Sequence, residues 1–168
     1  QGLQAVILAP GFMLGPWDWK PSSGRMMLAL SKGWKLLAPS GGCSVCDVRD
    51  VAAATITSVN KDLSSGREFI LAGDNLTYEQ LWKSMAERFG QRPPLMRAGP
   101  LQRRMAAALG DVIGRIHKEP DFNSAAVEMS SQYHWYDSSR AEHELGYKSR
   151  HVQQTLDDAA AWLREKHM

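Results

Sequence analysis

The chain has 168 residues, 43% of them hydrophobic and 23% charged, with a formal net charge of +2. A domain of this size buries roughly 70% of the surface its unfolded form exposes, so a real core is available and neither disorder nor a fibrous repeat is indicated. No apolar run approaches the roughly 20 residues of a membrane helix, and the opening QGLQAVILAP lacks the features of a secretory leader. The expected class is a soluble cytoplasmic protein, with no nucleic-acid or membrane partner.

Residues 5–9 form a short β-branched run stopped by Pro10 and Gly11, the pattern of a parallel strand covered on both faces. Such a strand needs neighbours. Since the first residue is Gln1, the chain is expected to begin inside a fold whose earlier half is absent. Residues 11–24, rich in Pro, Gly and aromatics, read as a loop, and 25–32 as a short helix ended by Gly33. A loop over 38–42 leads to a second strand over 43–48. Asp50 is the expected N-cap of a helix running to about residue 61, with Val51, Thr55 and Val59 as its inner stripe.

A third strand spans 68–72. Thr77 and Gln80 have capping-box spacing, ahead of a helix with Leu81, Met85 and Phe89 on one face and Gly90 at its end. Pro93-Pro94 and Gly99-Pro100 bracket a linker, after which 101–118 is expected to be helical and 119–131 shows no period. Residues 133–136 suit a short strand. Ser139 and Glu142 read as a second capping box, on a helix closed by Gly146. Val152, Leu156, Ala159, Ala160 and Leu163 then mark an amphipathic terminal helix over about 151–166. This mixed order predicts an α/β fold with a thin sheet.

Six stretches, in order, carry a resemblance. They are Leu8-Ala9-Pro10-Gly11-Phe12-Met13-Leu14-Gly15-Pro16, Lys20-Pro21-Ser22-Ser23-Gly24-Arg25, Asp47-Val48-Arg49-Asp50-Val51-Ala52, Gly66-Arg67-Glu68-Phe69-Ile70-Leu71-Ala72-Gly73, Thr77-Tyr78-Glu79-Gln80-Leu81, and Ser138-Ser139-Arg140-Ala141-Glu142-His143-Glu144-Leu145-Gly146-Tyr147. Together the chain resembles the C-terminal half of extended short-chain dehydrogenases, the group that includes NAD-dependent epimerase/dehydratases and dihydroflavonol-reductase-like enzymes. The resemblance implies an α/β fold, the C-terminal portion of an NAD(P)-binding Rossmann-type enzyme with a mixed α/β substrate-binding lobe. It assigns residues 1–16 to the last strands and nicotinamide-side loop of the Rossmann sheet and 17–168 to the substrate lobe. The N-terminal dinucleotide-binding half, with its Gly-rich turn and Tyr-x-x-x-Lys pair, is not in the sequence, so no catalytic residue is assigned and the chain alone is expected to be inactive.

By the same resemblance Pro10, Gly11, Phe12 and Met13 line the nicotinamide ring of an NAD(P) held mostly by the missing half. Backbone groups at 11–13 would meet its carboxamide. Ligands across a parallel sheet are met by the turns leaving its strands, and Gly11 permits close approach; the alternative is that Pro10-Gly11 merely ends a strand. Ser22 and Ser23 offer hydroxyls for the cofactor, while Met13, Trp17 and Arg25 face the substrate, Arg25 being suited to a phosphate or carboxylate. For Ser22, Ser23 and Arg25 a structural role stands beside the ligand role. Trp19 is expected to pack the loop.

Other candidates have plainer readings. Asp47 and Asp50 have the types of a carboxylate pair, but Asp50 is better read as a cap. Cys43-x-x-Cys46 lacks two further zinc ligands, the five histidines have no metal spacing, and no metal is assigned. Tyr136-x-x-x-Arg140 imitates the catalytic pair in the wrong place. The arginine-rich stretch 88–104 reads as a solvated linker. The expected function is therefore the substrate-binding half of an oxidoreductase or nucleotide-sugar epimerase/dehydratase that moves hydride to or from a carbonyl or hydroxyl carbon of a small-molecule substrate. Its partner would be the N-terminal half or another chain, and an unpaired strand edge would favour a homo-oligomer. The alternative is a non-catalytic binding or scaffold module derived from that lobe.

Overall fold

In a computed structural model, which describes residues 5–61, 63, 65–102, 104–105 and 124–168 (124–126 by backbone alone), two strand systems organise the chain. In the first, β1 (Val6–Pro10) runs parallel to β5 (Arg67–Leu71), with Leu8 opposite Phe69. In the second, β2 (Phe12–Leu14) lies parallel to β4 (Gly42–Asp47). β4 also pairs with β6 (Asp74–Thr77), antiparallel, and with β8 (Tyr133–His134), parallel. Val45 pairs with both Phe12 and Asp74, and Gly42 with both Thr77 and Tyr133. So β6 occupies one flank of β4, while β8 and β2 follow one another along the other. A small parallel pair, β3 (Leu37–Ala38) with β7 (Met96–Arg97), completes the strands among the described residues.

The helices that pack the described residues include α1 (Gly24–Ser31), α2 (Val48–Asn60), α3 (Tyr78–Arg88), α4 (Ser124–Met129), α5 (Ser139–Leu145) and α6 (Val152–His167). Two cores follow from their apolar faces. Leu14, Met27, Val45, Leu81, Met85, Leu156 and Leu163 join α1, α3 and α6 to β2 and β4. Ala54, Phe69, Leu71, Ala141, Leu145 and Tyr147 join α2 and α5 to the β1/β5 pair, with Val6 and Leu8 against them. Each fully buried Leu of these clusters contributes about 2 kcal/mol. The α6 stripe is the predicted one. The Thr77–Gln80 capping box forms as the spacing predicted, and Gly146 ends α5 in the left-handed conformation.

Several expectations are corrected. Among the described residues β1 is covered on one face only: strand alternation turns Val6 and Leu8 inward and leaves Ile7 53% exposed, with Glu68 and Ile70 of β5 also exposed on that side. β2 lies inside the predicted loop 11–24, because a three-residue strand between glycines is too short to show a period. Helix α2 starts earlier than expected and is capped by Asp47, whose carboxylate accepts the Arg49 N–H at 2.9 Å. Its buried residues are Asp50 and Ala54, while Thr55 and Val59 are exposed. Ser139 makes no capping box. The Ser138 hydroxyl donates to Glu142 at 3.0 Å, and the Asp137 carboxylate accepts the Ser139 N–H at 2.8 Å. β3, β6 and β7 had no local signal. α4 lies where no period was found. Of the expected helix 101–118, residues 101–102 and 104–105 are helical and the rest lies outside the described residues. Sheet membership also crosses the division at residue 16, since residues 67–71 pair with residues 6–10.

Candidate functional site

Two chain crossings build the site. β1 passes into β2 through Gly11 alone, and β5 passes into β6 through Ala72 and Gly73. β4 runs between them. A Cβ on Gly11 would lie 2.6 Å from the Ser44 carbonyl oxygen, and one on Gly73 would crowd the Val45 carbonyl oxygen more closely still. Glycine is therefore required at both points by the neighbouring strand. Gly11→Ala is expected to push the link off β4 and cost about 1–3 kcal/mol, read from the urea midpoint of the variant against the parent.

Beyond β2 the chain turns through Gly15, Pro16 and Trp17 into α1, and this turn walls a pocket of about 230 Å³. Its lining is Met13, Leu14, Gly15, Pro16, Trp17, Asp18, Ser22, Ser23 and Val48. Strand alternation explains the first contribution: Phe12 and Leu14 pack on the core side, which turns Met13 outward. Trp17 has φ 68, a left-handed backbone conformation costing an L-residue about 1–2 kcal/mol, and the residue is 57% exposed. Asp18 sets the next bend: its carboxylate accepts the Ser22 N–H at 3.1 Å and the Gly24 N–H at 3.0 Å, so it caps α1 from outside the helix. Trp19 packs edge-on against Trp162, ring centroids 4.6 Å apart, as expected of a loop anchor.

Of the residues singled out from the sequence, the pocket brings together Met13, Trp17, Ser22 and Ser23. Pro10, Gly11, Phe12 and Arg25 do not line it. The Gly11 N–H already donates to the Leu71 carbonyl at 3.0 Å, so any backbone donor toward a ligand from this turn falls to Phe12 or Met13. Asp18 and Val48 were missed. Asp18 had a signal, an acidic residue shortly before a helix start, whereas Val48 reaches the pocket only because β4 lies beside β2.

Behind the pocket, Asp47 is fully buried at the end of β4. It accepts from Arg49 Nε and Nη2, both at 2.8 Å, and Arg150 Nε lies 3.6 Å away. Burial by itself raises the Asp47 pKa, but hydrogen bonds from Arg49 and Thr155 and the Arg49 charge together outweigh it, and the net shift is downward. Asp50 binds Arg150 at 2.6 Å, and Arg49 also reaches Asp158 at 2.7 Å. The two carboxylates are thus a structural ion network at the start of α2.

Cys43 and Cys46 are both buried, and desolvation pushes their thiols up to about 12 and about 11, far from nucleophile or metal-ligand chemistry at neutral pH. Among the described residues no cluster of His, Cys, Asp and Glu is placed to hold a metal ion, and no helix is long and apolar enough to cross a membrane. Tyr136 precedes α5 while Arg140 lies on it, so they are not a one-turn pair. In the arginine-rich stretch, Arg88 pairs with Asp157 at 2.9 Å and Arg97 with Glu79 at 2.5 Å.

No family model matches the chain. It is 28% identical over 172 residues to "Sterol demethylase protein B" of Methylococcus capsulatus, covering 100% of this chain and 52% of that protein. It is 29% identical over 170 residues to a "Putative dihydroflavonol 4-reductase" of Synechocystis, covering 98% and 49%. The chain therefore spans about half the length of the curated relatives it matches. Among solved structures, a nucleoside-diphosphate-sugar epimerase from Pseudomonas aeruginosa superposes with a TM-score of 0.76 at 26% identity, covering 99% of this chain and 50% of its own. The UDP-glucuronic acid 4-epimerase of Bacillus cereus, solved with UDP-glucuronic acid and NAD, gives 0.62 at 11% identity, covering 95% and 45%, a likeness of fold alone.

Proposed function

We propose that this chain, whose homologues and structural neighbours are NAD-dependent epimerase/dehydratase and dihydroflavonol-reductase-like proteins of the extended short-chain dehydrogenase group, is the substrate-side half of an NAD(P)-dependent oxidoreductase or epimerase. One observation carries the reading. Among the described residues β1 pairs on one flank only, and the chain leaving that half-paired strand reaches the pocket turn through Gly11 and the three-residue β2. A parallel strand with one open flank and one bare face calls for further sheet beside it, and ligands of such sheets lie where the turns leave the strands.

In this reading a preceding dinucleotide-binding half extends the sheet beyond β1 and holds most of the coenzyme. Bound there, the nicotinamide would supply or accept the hydride. This chain's residues would position and shield: Met13, turned out from β2, and the Ser22 and Ser23 side chains line the pocket and would face the coenzyme and substrate. Trp17, fixed by its left-handed backbone, forms the outer wall for the substrate. The proton-transferring tyrosine belongs to the preceding half, so the 168 residues alone are inactive.

The test uses the protein expressed from its complete reading frame, titrated with NADH and NADPH by coenzyme fluorescence. Saturable binding of one of them is expected, and absence of binding by both sinks the reading in favour of a non-catalytic module. Trp17→Gly adds a second readout. Relief of the left-handed strain offsets glycine's extra chain entropy, so stability should stay within about 1 kcal/mol of the parent. Substrate KM should nonetheless rise by about ten-fold, as one wall of stacking area worth about 1 kcal/mol or more is lost.

A further inference from the structure

We propose that the face built by β3, β7 and the chain leaving α1 docks on an anionic lipid surface, where the protein rests without crossing the bilayer. This goes beyond the reading of the pocket and does not depend on it. Trp34 donates its indole N–H to the Pro93 carbonyl at 3.0 Å, and the Leu95 N–H donates to the Leu36 carbonyl at 3.0 Å. Those bonds, with Leu37 in register opposite Met96, gather Trp34, Leu36, Leu95 and Met96 into one patch, and each of the four is between 45% and 65% exposed. Large apolar residues scattered singly over a surface need no account, but a contiguous group marks a place of contact.

The charges around the patch decide what it contacts. Lys32 and Lys35 on one segment and Arg92 on the other are exposed and lie within a few residues of the four. Residues 32–46 and 88–105 hold no Asp or Glu. Arg97 adds no net charge, since Glu79 pairs with it at 2.5 Å. An apolar centre with a basic rim is the make-up of elements that lie in the lipid interface, the cations meeting acidic headgroups and the apolar groups entering the acyl boundary. Trp34 suits that place, because its N–H is already bonded within the chain and the ring can leave water without stranding a donor. A second copy fits less well: a two-fold contact would set this patch against itself, cation facing cation. That no helix of the described residues can span a membrane does not bear on a surface that only rests on one.

The patch also lies apart from the pocket. Ser22 and Ser23 line the pocket at the start of α1, whereas Trp34 follows its end, and eight helical residues span about 12 Å. The open flank of β1 belongs to the core of α2 and α5, so sheet added there joins a different part of the molecule.

The experiment is vesicle sedimentation of the protein expressed from its complete reading frame, with vesicles of phosphatidylcholine alone and of phosphatidylcholine mixed equally with phosphatidylglycerol. Binding to the mixed vesicles is expected, with little to phosphatidylcholine alone. Raising salt from about 0.1 to about 1 M should release the protein, as the screening length falls from about 10 to about 3 Å. Each cation near such a surface is worth about five-fold in affinity, so Lys35→Gln combined with Arg92→Gln should weaken binding about 25-fold. Leu95→Glu should weaken it about ten-fold or more, through the lost apolar side chain. Lys148→Gln, beside the other core, should sediment like the parent. If circular dichroism shows that Leu95→Glu is unfolded, the double variant decides. Failure of the complete protein to sediment with the mixed vesicles overturns the proposal, including the case where light scattering finds a dimer that Leu95→Glu splits. Binding that the patch variants leave unchanged, or that Lys148→Gln weakens equally, overturns it too. Coenzyme binding without vesicle binding overturns this proposal and leaves the proposed function standing, and the reverse result does the opposite.

Discussion

Asp47→Ala is expected to destabilise the folded chain by about 3 kcal/mol, near the lower end of what breaking a buried ion pair costs. The lower end applies because the two guanidinium groups are not stranded: Arg49 keeps Asp158 and Arg150 keeps Asp50. What is lost is the N-cap of α2, worth about 1 kcal/mol, and the charge-assisted bonds that Arg49 makes to a side chain with no solvent exposure. The pH dependence has a definite sign. The folded pKa lies below the ordinary 3.8, so Asp47 contributes its stability in full above that value and loses it as pH falls toward and through the lower folded value. Urea unfolding of parent and variant should therefore show the full gap near neutral pH and a shrinking one below about pH 4. A gap that stayed constant into acid would mean that packing, not charge, makes Asp47 important. Asp47→Asn, which keeps the capping oxygen, should cost less and show the same loss of pH dependence.

That network was legible only in part. The sequence shows Asp47, Arg49 and Asp50 together and marks a helix start, but local spacing favoured Asp50 as the cap, and nothing local pairs it with an arginine a hundred positions later. The elements read correctly, such as α3 with its capping box and the stripe of α6, are set by interactions within one or two turns. The elements missed, β2, β3, β6 and β7, are two to four residues long and exist because a distant strand lies beside them. The pocket divides in the same way. Met13, Trp17, Ser22 and Ser23 were visible as unusual residues on one connected turn. Val48 enters from across the sheet, and the need for glycine at position 11 comes from its closeness to Ser44 of β4. Six motifs in register conveyed the fold, whereas the pairing of Arg49 and Arg150 with carboxylates shows only in three dimensions.

Ile7→Glu should separate the fold of this chain from its proposed assembly. Ile7 is 53% exposed and points away from the core that holds Val6 and Leu8, so within the described residues the new carboxylate meets water. A surface change of that kind costs within about 0.5 kcal/mol, and the 168-residue chain should melt almost as the parent does. In the complete protein the same face, shared with Ile70 of β5, is proposed to lie under the dinucleotide-binding half. There the glutamate would be buried without a partner, at a cost of about 3 kcal/mol or more, enough to lower coenzyme-dependent turnover by about 100-fold. Ile7→Val, which keeps the surface apolar, should restore turnover. The two measurements pull apart what a core defect would join, since a general loss of folding would lower both the melting temperature of the isolated chain and the activity of the complete protein. Full activity of Ile7→Glu would mean that this face stays in water, and the proposal that the dinucleotide-binding half covers it would be lost.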